Sequence, residues 1–322
     1  MKARRAFPGI SVSILAFLLA FGLAVIPVLA QTTVNATTTT GGNWTATSPT
    51  PTWTCTPALS PCVPNNSPSD VFDVGINGGY VTLDGSSSLK TAAINSLSIV
   101  GPYLVGQLAI EDGETLSVAN NLTTSGGGGL SVDDSGSGGS TLNVGGNLTT
   151  SGSMQIGNGG TSAASTVNVA GTFDNTGGLY MIGSGAAGAP ALLNVGGAAP
   201  STLTGTYSLQ GNTGGAVLNY QGGGGITQIA GAVVLLGSDA FIETSGVSGN
   251  SALTGLTTIA NYSELMLNNG APLSTTGALT NNGTLYVNNE LNVGGSLENN
   301  GTLSVSPGST LNVGEPDRQR RS

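Results

Sequence analysis

The sequence predicts an all-β chain wound as a parallel β-solenoid, and three observations predict it. Short runs of alternating apolar residues end in Gly, Asn or Asp, as in "VFDVGI", "YVTLDG", "LAIEDG" and "TLSVAN", which is strand and turn chemistry. No window carries a sustained apolar stripe at helical spacing. One eleven-residue phrase recurs: "LNVGGNLTTSG" from Leu142, "VNVAGTFDNTG" from Val167, "LNVGGAAPSTL" from Leu193 and "LNVGGSLENNG" from Leu291.

The repeat spacing argues for stacked coils. Leu116, Leu142, Val167 and Leu193 start equivalent phrases 26, 25 and 26 residues apart. Towards the C-terminus the period shortens, with Leu279 and Leu297 18 residues apart, Leu285 and Leu303 also 18, and Leu291 and Leu311 20. A period in this range is the mark of a solenoid, whereas an antiparallel sandwich of short strands has no reason to repeat at one-coil spacing.

Alternation then assigns the faces. Leu116, Leu142 and Val144, Val167 and Val169, Leu193 and Val195, Leu291 and Val293, and Leu303 and Val305 fall inside as core rungs. Asn143, Asn168 and Asn194 fall outside as a ladder. The glycines at 145–146, 196–197 and 294–295, with Ala170-Gly171 in the same place, follow each strand and are expected to turn the corner through positive φ. Inserts at 133–140 and 183–190 are loops between strands.

In chain order, the first 30 residues read as an export signal. Lys2, Arg4 and Arg5 precede an apolar run over 10–29 that closes on "VLA", so cleavage is expected between Ala30 and Gln31; an uncleaved anchor is the other reading of that run. Residues 31–69 are rich in Thr, Pro, Ser and Asn and are expected to form a linker and an irregular cap. Cys55 and Cys62, the only cysteines, are expected to pair in an oxidising compartment rather than remain free thiols. Trp44 and Trp53 are read as a cover over the open end of the solenoid, with a sugar-stacking platform as the alternative. Residues 70–314 are the repeats, and 315–322 a polar basic tail. The last rung, Leu311 to Val313, leaves a sheet edge through which self-association is expected.

Charge excludes several functions. The chain has 7 basic and 16 acidic residues and no His, and Lys90 is the only cation between the terminal clusters. Such a body does not neutralise a row of phosphates, so neither nucleic acid nor an anionic lipid surface is an expected partner, and no membrane insertion of the mature chain is expected.

The rungs over 281–314, "NNGTLYVNNELNVGGSLENNGTLSVSPGSTLNVG", resemble those of autotransporter passenger domains and related haemagglutinin-like surface proteins. The stretch 41–88 resembles the region that opens their β-helices. The resemblance implies a right-handed parallel β-helix, export, and work at or beyond the cell surface. After Gly314 there is no room for an outer-membrane barrel, so the expectation is a stand-alone secreted relative or a piece of a longer passenger.

Many β-helices cleave polysaccharides, with paired carboxylates and a steadying cation. Without His there is no Ser-His triad, and Lys90 is the single candidate for a cationic base. Asp133-Asp134 is the only adjacent Asp pair and reads as a solvated loop, while Glu111-Asp112-Gly113 reads as a turn. The calcium-binding nonapeptide of β-rolls is absent, and no cofactor or metal is expected. The Gly runs at 126–129 and 222–225 lack the Lys of a phosphate loop. The expected function is a secreted or cell-surface solenoid, not an enzyme, presenting an adhesive or structural surface to a glycan or protein. The alternative is a carbohydrate-active β-helix.

Overall fold

The computed structural model describes residues 31–314 apart from 47–52, 87–88, 102–105, 186–188, 212 and 246. The expected export segment, including Ala30, and the basic tail lie outside the described residues. Among the described residues there is no α-helix; one 3-10 turn, Ser251–Leu253, interrupts a chain of short strands. No helix of these residues is long and apolar enough to cross a membrane.

The strands stack into three walls, and each coil after the first contributes one strand to each wall in turn. The second wall is an unbroken 11-stranded sheet running from Gly42–Asn43 to Thr302–Val305. The first is a seven-stranded sheet continued by a five-stranded one, and the third a seven-stranded sheet continued by a three-stranded one. Apart from the antiparallel edge strand Thr54–Thr56, all pairings along the walls are parallel, so the described residues form a parallel β-helix of 11 coils. Ten steps at about 4.8 Å give a rod about 50 Å long.

Register follows the repeats. Leu142 pairs with Leu116 on one side and Val167 on the other, and Val167 with Leu193. The short-period end behaves likewise, with Leu279 on Leu297, Leu285 on Leu303 and Leu291 on Leu311. Leu116, Leu142, Val144, Val167, Val169, Leu193, Val195, Leu291 and Val293 are buried in one continuous core. Two rung positions differ from expectation: Leu303 is half-buried and Val305 is 42% exposed. Their register is right, but an inward side chain is enclosed by the coils on both sides, and this last described coil has a neighbour on one side only.

The outer Asn ladder forms as expected. Asn168 Nδ2 donates to Asn143 Oδ1 at 2.9 Å, and Asn194 Nδ2 to Asn168 Oδ1 at 3.0 Å. Asn219 continues the same register. The corner glycines 145–146, 196–197 and 294–295 require a correction, because none of them takes a positive φ. A Cβ at Gly145 or Gly196 would collide with the backbone carbonyl of Ala119 or Ala170 in the coil below. Close approach between coils, not left-handed backbone, selects glycine there.

The N-terminal segment is more ordered than its composition suggests. Thr32–Thr38 is already a wall strand, pairing parallel with Asp70–Ile76, and its Val34, Ala36 and Thr38 face inward. Thr54–Thr56 closes its free edge antiparallel, and the Cys55–Cys62 disulfide pins the loop that follows. Trp44 and Trp53 are buried, 5.1 Å apart between ring centres, with Trp44 Nε1 donating to Pro64 O and Trp53 Nε1 to Trp44 O, each at 2.9 Å. Both rings belong to the buried core, so neither is exposed for a sugar to stack on. Asn65 Oδ1 accepts from Ala93 N on the free edge of the third wall, which shields that edge from further pairing.

One side chain repairs the break in the third wall. Asn250, 8% exposed, receives Ile242 N and donates to Ala240 O and Pro272 O, joining the two sheets.

Candidate functional site

Six carboxylates collect at the corner between the second and third walls: Asp84, Glu111, Asp112, Glu114, Asp133 and Asp134. The loop 133–140 is held down by them rather than free in solvent. Asp133 is fully buried and accepts from Ser140 N at 2.9 Å and Ser140 Oγ at 2.6 Å. Glu111, 7% exposed, accepts from both the N–H and the hydroxyl of Ser135, and Asp112 accepts from Ser137 N. The expectation of a solvated Asp133-Asp134 loop is therefore corrected. Asp112 and Asp133 do take turn-like left-handed backbone, at φ 57° and 58°, but stacking coils bury what a lone turn would expose. Lys90 Nζ lies 2.6 Å from the buried Glu114 carboxylate, which commits the one cation among the described residues to an ion pair and corrects its reading as a candidate base.

Glu111 and Asp134 interact directly. Asp134 Oδ1 is buried with no hydrogen-bond donor, and Glu111 in its protonated form is the group that would supply one. Burial, together with that bond and the Asp134 charge, raises the Glu111 carboxyl to about 7, against opposition from Ser135. Burial and the charges of Asp134 and Glu111 likewise push the Tyr80 phenol up to about 12, with Ser131 opposing.

Between 4.5, the ordinary value, and about 7, the folded chain keeps a proton that the unfolded chain has released. Stability therefore falls as pH rises through that window and is level above it, by about 1–2 kcal/mol once solvent screening is allowed for. Glu111→Gln retains a donor for Asp134 and removes the titration. Urea melts of this variant should show a smaller decline of the midpoint over this window than the wild type, leaving only the part due to Glu243, whose carboxyl burial also raises; an equal decline in both would place the titrating group elsewhere.

Beside this pair the second wall carries a groove of about 190 Å³, lined by Tyr80, Gln107, Ser131, Asp134, Ser153 and Gln155 with Leu108, Gly129 and Leu130. Two outward rows build it. Tyr80, Gln107, Gly129, Ser153 and Gly178 are successive partners in one, and Ser131, Gln155 and Tyr180 in the other. A concavity of about 450 Å³ on the third wall follows the Asn ladder, whose amides are bonded to one another.

None of the groove residues is marked by a local motif. The signal that finds them is the coil frame: aligning coils on their inward Leu and Val positions puts Tyr80, Gln107 and Ser153 in one column.

No protein-family model matches the chain, and no curated protein or solved structure matches it either.

Proposed function

We propose that the chain is an exported β-helix, related to passenger-type surface proteins, whose coils form a rigid scaffold presenting an adhesive or structural surface outside the cell without catalysis. The observation that carries this reading is the unbroken second wall. Its inward positions are apolar throughout, while its outward positions offer Tyr80, Tyr180 and Tyr286 among amides and hydroxyls. A scaffold of this kind holds outward side chains in fixed positions over many coils. The Cys55–Cys62 bridge agrees with an oxidising compartment. Fractionation with N-terminal sequencing of the native protein should find it outside the cytoplasm, beginning at Gln31. A cytoplasmic protein starting at Met1 would overturn export.

A second reading, polysaccharide cleavage, is favoured by the Glu111–Asp134 pair. A carboxyl poised near neutrality beside a carboxylate is suited to proton transfer. Turnover in a polysaccharide screen, abolished by Glu111→Gln, would establish that reading; no turnover by the wild type would dispose of it.

A further inference from the structure

Tyr80 and Tyr180 are 42% and 41% exposed, stand on one rigid sheet, and lie at opposite ends of the polar strip formed by Gln107, Ser131, Ser153 and Gln155. We propose that this strip, from Tyr80 to Tyr180, binds an uncharged polysaccharide lying along the axis of the coils. The proposal rests on the surface-presenting reading above and names its ligand class.

The rings come first. An exposed aromatic face on a stiff support covers the C–H face of a pyranose at little cost in order. Tyr180 leans along the wall because position 178 is glycine: a Cβ there would meet Tyr180 Cε2 at 2.8 Å and Oη at 3.1 Å. Between the rings, the two primary amides and the Ser153 hydroxyl provide both donors and acceptors, which is what sugar hydroxyls require, while the buried Ser131 hydroxyl bonds the Tyr80 phenol. Gln155 uses one N–H on Gly157 O at 3.2 Å, so its amide is held in orientation while its oxygen is left for a ligand.

Charge and length narrow the class. Asp134 lines the groove and the nearby Lys90 is tied to Glu114, so a polyanion meets repulsion with no compensating cation. Single-stranded nucleic acid, which also stacks on aromatic rings, fails for the same reason. Tyr80 and Tyr180 are four coils apart, about 19 Å at about 4.8 Å per coil, which suits a chain of sugars rather than one.

The test uses calorimetry or affinity electrophoresis on the native protein with neutral polysaccharides (a β-glucan, a galactan, a mannan) and an acidic one (polygalacturonate). At least one neutral polymer should bind and polygalacturonate should not. Tyr80→Ala and Tyr180→Ala should each weaken binding by about tenfold, the loss of one stacking contact. Gly178→Ala keeps every ligand-facing group but lifts the Tyr180 ring, and should weaken binding with an unchanged melting temperature. Tyr262→Ala, at a fully exposed tyrosine outside the groove, should change nothing. Failure of every neutral polymer, equal binding of polygalacturonate, or an equal loss with Tyr262→Ala would overturn the proposal while leaving the exported scaffold standing. Cleavage of a bound neutral polymer would uphold the groove and overturn the non-catalytic part of that reading.

Discussion

Leu142→Asp should lower stability by about 4 kcal/mol or more, enough to unfold a marginally stable protein. Leu142 is fully buried between Leu116 and Val167, so the substitution removes a core side chain and places a carboxylate where no cation reaches. Asn143→Asp, one residue on, should cost less than about 1 kcal/mol. Asn143 is half-exposed on the outer face and serves its neighbour as an acceptor through Oδ1, a role a carboxylate keeps. Asn168→Asp falls between them, at about 1–2 kcal/mol, because it turns the donor to Asn143 into a second acceptor. Denaturant midpoints of the three variants should rank in that order. Equal values for Leu142→Asp and Asn143→Asp would contradict the inward and outward assignment on which the whole architecture depends.

The coil register was legible in the sequence because it repeats: each Leu-x-Val unit needs the same neighbours, so the pattern that stacks the coils is also the pattern that recurs. What lay hidden was set by contacts between coils. Composition marks 31–69 as linker and cap, yet Val34, Ala36 and Thr38 alternate inward, and a neighbour, Asp70–Ile76, turns that weak alternation into a strand. "DDSGSGGS" has the chemistry of a free loop, but Ser135 finds Glu111 on the previous coil, 24 residues back. The groove takes Tyr80, Gln107, Ser131 and Gln155 from four coils, so no local window contains it. The corner glycines taught the same lesson: their identity was readable, but its cause was the next coil, not the local turn.

The tightest such approach gives the last prediction. Gly128, Gly152, Gly177, Gly205 and Gly231 occupy one corner, where the first wall passes into the second, in five successive coils. A Cβ at Gly152 would strike the carbonyl oxygen of Gly128, and one at Gly177 that of Gly152. In each case the obstacle is backbone, which cannot swing aside as a side chain would. Relief would require the coils to separate, and the same step carries the hydrogen bond from Gly178 N to Gly152 O at 2.9 Å. Gly152→Ala should therefore destabilise by about 3 kcal/mol, at the upper end of overpacking costs, despite adding only a methyl group. Gly159 provides the control. Nothing lies within 4 Å of a Cβ at that position and its φ is not positive, so Gly159→Ala should be neutral or stabilise by up to about 1 kcal/mol through loss of freedom in the unfolded chain. The same substitution, seven residues apart, should thus shift the urea midpoint in opposite directions or leave the second unmoved. If Gly152→Ala proved as harmless as Gly159→Ala, coil-to-coil contact would not be what excludes side chains from that corner.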